Sequence, residues 1–382
     1  MKKASILCIA VLLICLAAIF NFDRIQMWIP TDFSAAEAEI EAHTAQQEVR
    51  YYYDSLSRDG KVAYNHILAQ IRTHPEEIEI PPLKEEDFHQ MFQALSYDNP
   101  DLLCMQNESQ IVTRGAKAFF VPQYVCDVQT CNEHTDALNT AVQDILRALP
   151  ATADTFTLEL YLHDAVCARM AYETQDSGVG YNAYDALVLG KAVCEGYSRA
   201  LQLLFNCVGI QNYLVTGTGV NADGDTEGHM WNLVRIDGQN YYVDATWDDL
   251  DSVSINRYSH TYFNVADADV QTNHLDMSPA ANQCIYEQYN YFVYQNLLFK
   301  QYDSDARARI TECISNALQN GETTFEIRFS NRAVFEEAFA DLIENGTVYD
   351  LAQKADRRFL KKYSNIMYVQ DEQMLTVQFS FV

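Results

Sequence analysis

Two hydrophobic periods alternate along the chain. From Ser34 to about Thr73, in SAAEAEIEAHTAQQEVRYYYDSL and KVAYNHILAQIRTH, apolar residues return at helical intervals and predict helices that Pro81-Pro82 interrupt. A further helix is expected over about Glu85 to Leu95, before the turn signal Tyr97-Asp98-Asn99-Pro100. Near the middle, Tyr197, Ala200, Leu201, Leu204, Phe205 and Val208 recur at helical spacing from Cys194 until Gly209 ends the pattern, so Cys194 opens a helix. The period then changes to two: His229 to Ile236 and Gln239 to Thr246 are β-prone runs joined by Asp237-Gly238, a strong hairpin signal. Beyond Val265, YEQYNYFVYQNLLFKQY reads as strand, Ser304 to Leu318 as helix, TTFEIRFS as strand and Arg332 to Ile343 as helix. NIMYVQ with MLTVQFSFV then reads as a terminal hairpin around Asp371-Glu372. The mixture predicts an α+β chain.

The central hairpin fixes a register. If Ile236 faces Gln239, then Trp231 faces Asp244 and His229 faces Thr246. His229 and Asp244 become diagonal neighbours on one face, with backbones roughly 7–8 Å apart, a gap that an imidazole and a carboxylate can close. A three-residue loop would put them on opposite faces. The other face, with Met230, Val234, Ile236, Tyr241 and Val243, is mostly apolar and is expected to pack on the helix that begins at Cys194.

These three residues carry candidate chemistry. The open N–H groups and partial positive charge of a helix N-terminus favour a thiolate, which suits Cys194 to be a nucleophile. His229 can take the thiol proton and return it to a leaving group, and Asp244 can hold the imidazole in the right tautomer. The backbone N–H of Cys194 is a candidate oxyanion donor. Cys207 is expected on the buried stripe of the same helix, without such help. Taken singly, each residue reads as a buried thiol, a satisfied core histidine or a turn aspartate; their joint placement favours a site.

VCEGYSRALQLLFNCVGI, GHMWNLVRIDGQNYYVDATWDD and TYFNV resemble the bacterial branch of the transglutaminase-like superfamily. The resemblance extends upstream to YLHDAVCARMAYET, where His163, Asp164 and Tyr172 match family positions, and to AYDALVLGKAVC, covering roughly Leu158 to Val265. It implies a papain-like core in which a helix carries the cysteine and an antiparallel sheet carries the histidine and aspartate, and it places the family triad on Cys194, His229 and Asp244. Animal transglutaminases have Gly-Gln-Cys-Trp around the nucleophile. Here Ala192-Val193-Cys194-Glu195 stands in those positions, which leaves hydrolysis of a peptide or amide bond at least as favoured as cross-linking.

Charge and the N-terminus add a location. The formal net charge of −27 makes the body repel nucleic acid and anionic lipid surfaces; a solvated acidic surface is the larger part of that reading. Lys2 and Lys3 precede an uncharged apolar run from Ala4 to Phe20, and no clean cleavage site follows. An uncleaved anchor is expected, with its lysines in the cytoplasm and the body outside, the alternative being secretion after cleavage.

Other clusters are weaker. Cys126 and Cys131, with His134 nearby, are open to three readings: a metal pair, a local disulfide or two thiols. His163 and Cys167 sit one helical turn apart and read as helix packing. Asp248, Asp249 and Asp251 read as a solvated loop, since the alternating oxygen ligands of a calcium loop are missing. No metal or cofactor is called for.

The expected plan is an N-terminal anchor or signal segment over 1–22, a mainly helical region over 23–150, the catalytic domain over 151–270 and a small α/β module over 271–382. The leading expectation is an extracytoplasmic thiol enzyme acting on a peptide or protein substrate through a cysteine acyl-enzyme. The alternative is a catalytically idle fold serving as a cell-surface peptide-binding or interaction module. Oligomeric state is left open.

Overall fold

A computed structural model describes residues 30–46, 50–151, 153–173, 178–250, 258–279 and 284–382. The expected membrane segment over 1–22 and the aspartate at 251 lie outside the described residues. Among those described, no helix is long and apolar enough to cross a membrane. The chain divides after Asn132 into two compact units.

In the first unit, helices α1 (Ser34–Gln46), α2 (Arg58–Leu68) and α3 (Glu85–Tyr97) accompany an antiparallel sheet. Its strands are β1 (Ile78–Ile80), β2 (Met105–Arg114) and β3 (Lys117–Tyr124), in the order β1-β3-β2. The region expected to be mainly helical therefore also carries a β-hairpin and a third strand. Tyr64, Ile67, Met91, Leu95 and Phe120 form its fully buried centre. The hairpin returns the chain so that the Val125 N–H donates to the Cys104 carbonyl at 3.0 Å, and Cys131 closes a disulfide with Cys104. The local disulfide between Cys126 and Cys131 is not formed: Cys131 pairs instead with Cys104, 27 residues away, and the Cys126 sulfur lies 3.6 Å from that of Cys104.

The second unit begins within helix α4 (Val128–Arg147) and holds two packed α/β layers. In the first layer, α5 (Thr155–Cys167) starts where the Asp154 carboxylate accepts the Thr157 N–H at 2.8 Å, and α6 (Cys194–Val208) ends at Gly209 as expected. The sheet is β4 (Gln211–Val220), β5 (Thr226–Ile236), β6 (Gln239–Val243) and β7 (His274–Ser278), antiparallel throughout in the order β6-β5-β4-β7.

The hairpin register is the one read from the sequence: Ile236 pairs with Gln239 and Asn232 with Val243. Asp237 and Gly238 take φ of 50° and 79°, the left-handed pair that a two-residue turn matched to strand twist requires. The face carrying Met230 and Asn232 meets α6, where the Ser198 hydroxyl donates to the Met230 carbonyl at 2.9 Å and the Asn232 amide donates to the Ser198 carbonyl at 3.0 Å. The opposite face is buried too, with Trp231 and Leu233 clustered against Val215, Tyr242, Val265 and Met374.

Three expectations are corrected here. Cys207 is exposed, because the 3.6-residue turn carries it off the stripe of Tyr197, Leu201, Leu204 and Phe205. Asp248 is fully buried instead of solvated, since His163, Ser259 and the Tyr262 N–H all bond its carboxylate. The aromatic run after Val265 is mostly not strand: Asn290 caps a helical turn over Tyr291–Tyr294, and only β8 (Leu298–Phe299) is extended.

The second layer is the C-terminal module. Strands β9 (Thr324–Phe329), β10 (Ile366–Asp371) and β11 (Thr376–Phe381) join β8 in the order β8-β9-β11-β10. Helices α7 (Ser304–Asn320), α8 (Arg332–Phe339) and α9 (Thr347–Ala355) accompany this sheet, and Ile310, Ile314, Ile327, Leu351 and Phe359 fill the module's core. The tip of the β10–β11 hairpin reaches the first layer: Met374 joins the Trp231 cluster, and the Tyr262 hydroxyl donates to Asp371 Oδ2 at 2.9 Å.

Candidate active site

Cys194 is the first residue of α6, after Val193 in extended conformation, and its side chain is partly exposed. A short parallel pairing of Ala171–Tyr172 with Lys191–Ala192 fixes the approach to the helix, and the Val193 N–H donates to the Gly180 carbonyl at 3.0 Å. Gly196 is demanded by this approach, because a Cβ there would lie 2.2 Å from the Gly180 carbonyl oxygen. Tyr172 is 42% exposed beside the site; partial burial of its hydroxyl, with Cys194, Glu227 and Asp244 nearby, pushes it up to about 12.

His229 projects from β5 between the rings of Trp231 and Trp247, at centroid distances of 5.6 and 5.2 Å. Gly219 on β4 leaves the room, since a Cβ there would come within 3.2 Å of the His229 Cβ. Asp244 follows β6 at the point where the chain leaves the ladder, and caps the short helix Ala245–Asp248. Its Oδ1 accepts the Thr246 and Trp247 N–H groups at 3.0 and 3.3 Å. Its Oδ2 lies 2.6 Å from His229 Nε2, which leaves Nδ1 for the Cys194 sulfur, a hydrogen-bond partner of the same ring. The structure thus brings together all three residues singled out in the sequence.

The electrostatics fit this geometry. Burial works against a charge on His229, but the Asp244 carboxylate and the Cys194 sulfur outweigh it and raise the imidazole to about 10. Burial likewise works against Asp244, and the two histidines beside it hold the carboxyl well below its usual range. The second of these is His274, whose Nε2 is 3.0 Å from the same Oδ2. It was not among the residues singled out.

A second Cys-His-Asp set lies behind the first. Cys167 Sγ is 3.8 Å from His163 Nε2, which is 3.2 Å from Asp248 Oδ2, and all three are completely buried. Cys167 is also the last residue of α5, where the helix dipole disfavours a thiolate, and burial pushes its thiol up to about 11. Such a thiol is inert, and the packing reading suits it. His163 Nδ1 meets Asp164 Oδ1 at 3.1 Å, and His260 spans Asp164 at 2.9 Å and Glu326 at 3.0 Å. Asp164, His260, Tyr291 and Glu326 face a separate cavity of about 860 Å³, whose lining includes none of Cys194, His229 or Asp244.

His163, Asp164 and His260, and likewise His229, Asp244 and His274, bring potential ligand atoms within 4.8 Å of one another. As arranged, these imidazoles serve the carboxylates as hydrogen-bond donors, whereas a metal ligand must present a lone pair. In the third such group, His74, Cys104 and Cys131, both sulfurs are spent in the disulfide.

Residues 143–246 match the family described as the transglutaminase-like superfamily, roughly a quarter of the chain and the part that holds Cys194, His229 and Asp244. Four chains of solved structure match. One is a proposed cysteine protease from Cytophaga hutchinsonii, with 11% identity and a TM-score of 0.25 over 36% of this chain and 61% of that one. Another is a TGase, with 13% identity and a TM-score of 0.27 over 58% of this chain and 59% of that one. The chain thus spans about three fifths of the length of each of these two structures. No curated protein matches. The chain carries a transglutaminase-like superfamily domain within a mixed α+β fold.

Proposed function

We propose that this protein is an extracytoplasmic thiol enzyme that acts on a peptide or amide bond through a Cys194 acyl-enzyme, with hydrolysis slightly ahead of amine transfer. One observation carries the reading: a partly exposed cysteine at a helix N-terminus shares an imidazole whose other nitrogen is 2.6 Å from a buried carboxylate. The thiol proton rests on His229 before attack, so Cys194 Sγ adds to the acyl carbon as the thiolate. His229 then passes that proton to the departing amine, and a thioester remains. Water, or a second amine, attacks the thioester with His229 as base, and the thiol is restored. Asp244 keeps the Nε2 proton in place, so Nδ1 faces the sulfur. We place the body outside the membrane on the strength of the N-terminal lysines and apolar run.

Mass spectrometry of a peptide library, incubated with and without added amine, tests the activity. Truncated or deamidated peptides indicate hydrolysis, amine adducts indicate transfer, and both should vanish in Cys194→Ala. If the cellular role survives Cys194→Ala, the interaction-module reading replaces this one. Iodoacetamide at pH 6 should label Cys194 faster than the exposed Cys207; equal rates would count against an activated thiol. Protease treatment of intact cells should remove the body, and a resistant full-length protein would overturn the location.

A further inference from the structure

His274 opens β7 and pairs with Gly219 across the sheet, close to Gly217, the partner of His229. Its ring is 1% exposed and packed between Trp231 and Trp247, at centroid distances of 4.6 and 4.5 Å. Two imidazoles therefore meet one carboxylate oxygen, His229 at 2.6 Å and His274 at 3.0 Å from Asp244 Oδ2. With the two backbone N–H groups on Oδ1, the carboxylate has four donors in four directions and cannot turn without breaking one of them.

The ring is held from behind as well. Its Nδ1 is 2.9 Å from Asn273 Oδ1, and the Asn273 amide donates to the Tyr262 hydroxyl at 3.1 Å and to Gln373 Oε1 at 3.2 Å. Both neighbours of His274 are acceptors. Each contact is a hydrogen bond only with a proton on that nitrogen, so the ring that bonds both donates Nε2–H to the carboxylate and Nδ1–H to Asn273 Oδ1.

We propose that His274 is a positioning residue: through the shared Oδ2 it fixes the plane of the Asp244 carboxylate, and so the direction in which His229 presents its proton. The assignment rests on the reading of Cys194, His229 and Asp244 given above. His274 does not touch the reacting atoms. The anchor behind it reaches the C-terminal module, because the Tyr262 hydroxyl donates to Asp371 and Gln373 stands in the same hairpin tip.

The test needs a probe that does not depend on the natural substrate, and p-nitrophenyl acetate is suitable. Attack by Cys194 expels nitrophenolate and leaves an acetyl thioester. Water then attacks the thioester, its proton passing to His229, and acetate leaves as the thiol is restored. The first step, with a good leaving group, gives a burst that asks little of imidazole orientation; the second sets the steady rate and depends on it.

His274→Met keeps the length and bulk but has no N–H, whereas His274→Gln offers an amide N–H near the position of Nε2. The Met variant is expected to keep a burst of one equivalent while its steady rate falls about tenfold or more, the scale on which small losses of alignment act. The Gln variant should stay within about threefold of wild type. A Met variant within twofold of wild type, or a Gln variant as slow as the Met variant, would overturn the proposal. Should the Met variant lose the burst, Asn273→Ala takes its place, because it frees the far side of the ring and leaves the ring itself. An intact burst with slowed turnover is then expected, and unchanged turnover would overturn the proposal. A burst that survives in Cys194→Ala would instead sink the assignment of Cys194, so the two failures are told apart.

Discussion

Asp244 stands at the junction of hairpin and short helix, and its charge decides how His229 behaves with pH. With the imidazole raised to about 10, turnover of a peptide should hold through neutral pH and fall as the pH rises through that value, when His229 can no longer protonate the leaving group. In Asp244→Asn the alkaline limb should move down toward the ordinary 6.5, and the rate should drop by up to about 10⁴, as for the corresponding change in serine triads. A pH–rate profile of both proteins measures the two effects together. Glu159 gives a second pH signature, in stability. Burial raises its carboxyl to about 8, although the Asn264 amide on Oε2 works the other way, and Oε1 has no partner. The folded state keeps a proton that the unfolded chain releases near 4.5, so this contribution is complete below that pH and is lost as the pH rises through about 8. Glu159→Gln should therefore raise Tm at pH 8, by about 2–4 °C per kcal/mol relieved, and leave it unchanged at pH 4.5. Cys194, His229 and Asp244 were legible because local pattern placed each of them. His274 was not, since it reaches Asp244 only through the pairing of β7 on β4, 30 residues along the chain. Asp248 was misread for the same reason: its partner His163 is 85 residues away.

At the scale of elements, a turn and a helix start together set the site. The two-residue turn at Asp237-Gly238 and the period of two left one register for β5 on β6; the ladder ends at Asn232–Val243, short of the expected Trp231–Asp244 pair, and Asp244 meets His229 from just beyond it. What carries α6 to the sheet was less legible. The helix period announced a buried stripe, but no pattern announces that Gly196 lies against the Gly180 carbonyl, because that contact joins the first turn of α6 to a loop 16 residues earlier. Gly196→Ala would place a methyl group 2.2 Å from backbone oxygen and 3.0 Å from the Ala192 Cβ, and neither neighbour is a flexible side-chain end. The strain should cost about 1–3 kcal/mol, the usual scale of overpacking, and shift the first turn that carries Cys194. Urea unfolding should show the lower midpoint, and the p-nitrophenyl acetate burst should slow even where the variant is fully folded. A burst of wild-type rate would mean that the start of α6 does not depend on this contact.

At the scale of the molecule, the C-terminal module is part of the wall behind the site. The sequence reads as a small α/β module here, and the module has a buried core. Its β10–β11 hairpin, however, places Met374 in the cluster around Trp231, Asp371 against the Tyr262 hydroxyl and Gln373 against Asn273. From the body of the module, the Glu326 carboxylate accepts both the His260 backbone N–H at 3.0 Å and a ring nitrogen of His260 at 3.0 Å. The hydrogen bonds among these contacts join sequence positions 66 to 109 residues apart, beyond the reach of any local pattern. A chain ending at Asn296 would expose the Trp231 cluster on its Met374 side and leave His260 with Asp164 as its remaining carboxylate. It would also free Tyr262 and Asn273, and with them the support of His274. We expect this truncated chain to lose the fixed near-ultraviolet dichroism of its aromatic core and to give no p-nitrophenyl acetate burst. The double substitution Asp371→Asn, Gln373→Ala should instead keep the fold and the burst and lower only the steady rate. If the truncated chain folded and turned over like the whole protein, the module would be an appendage, and the chain of contacts from Asp371 to Asp244 would play no part in holding the site.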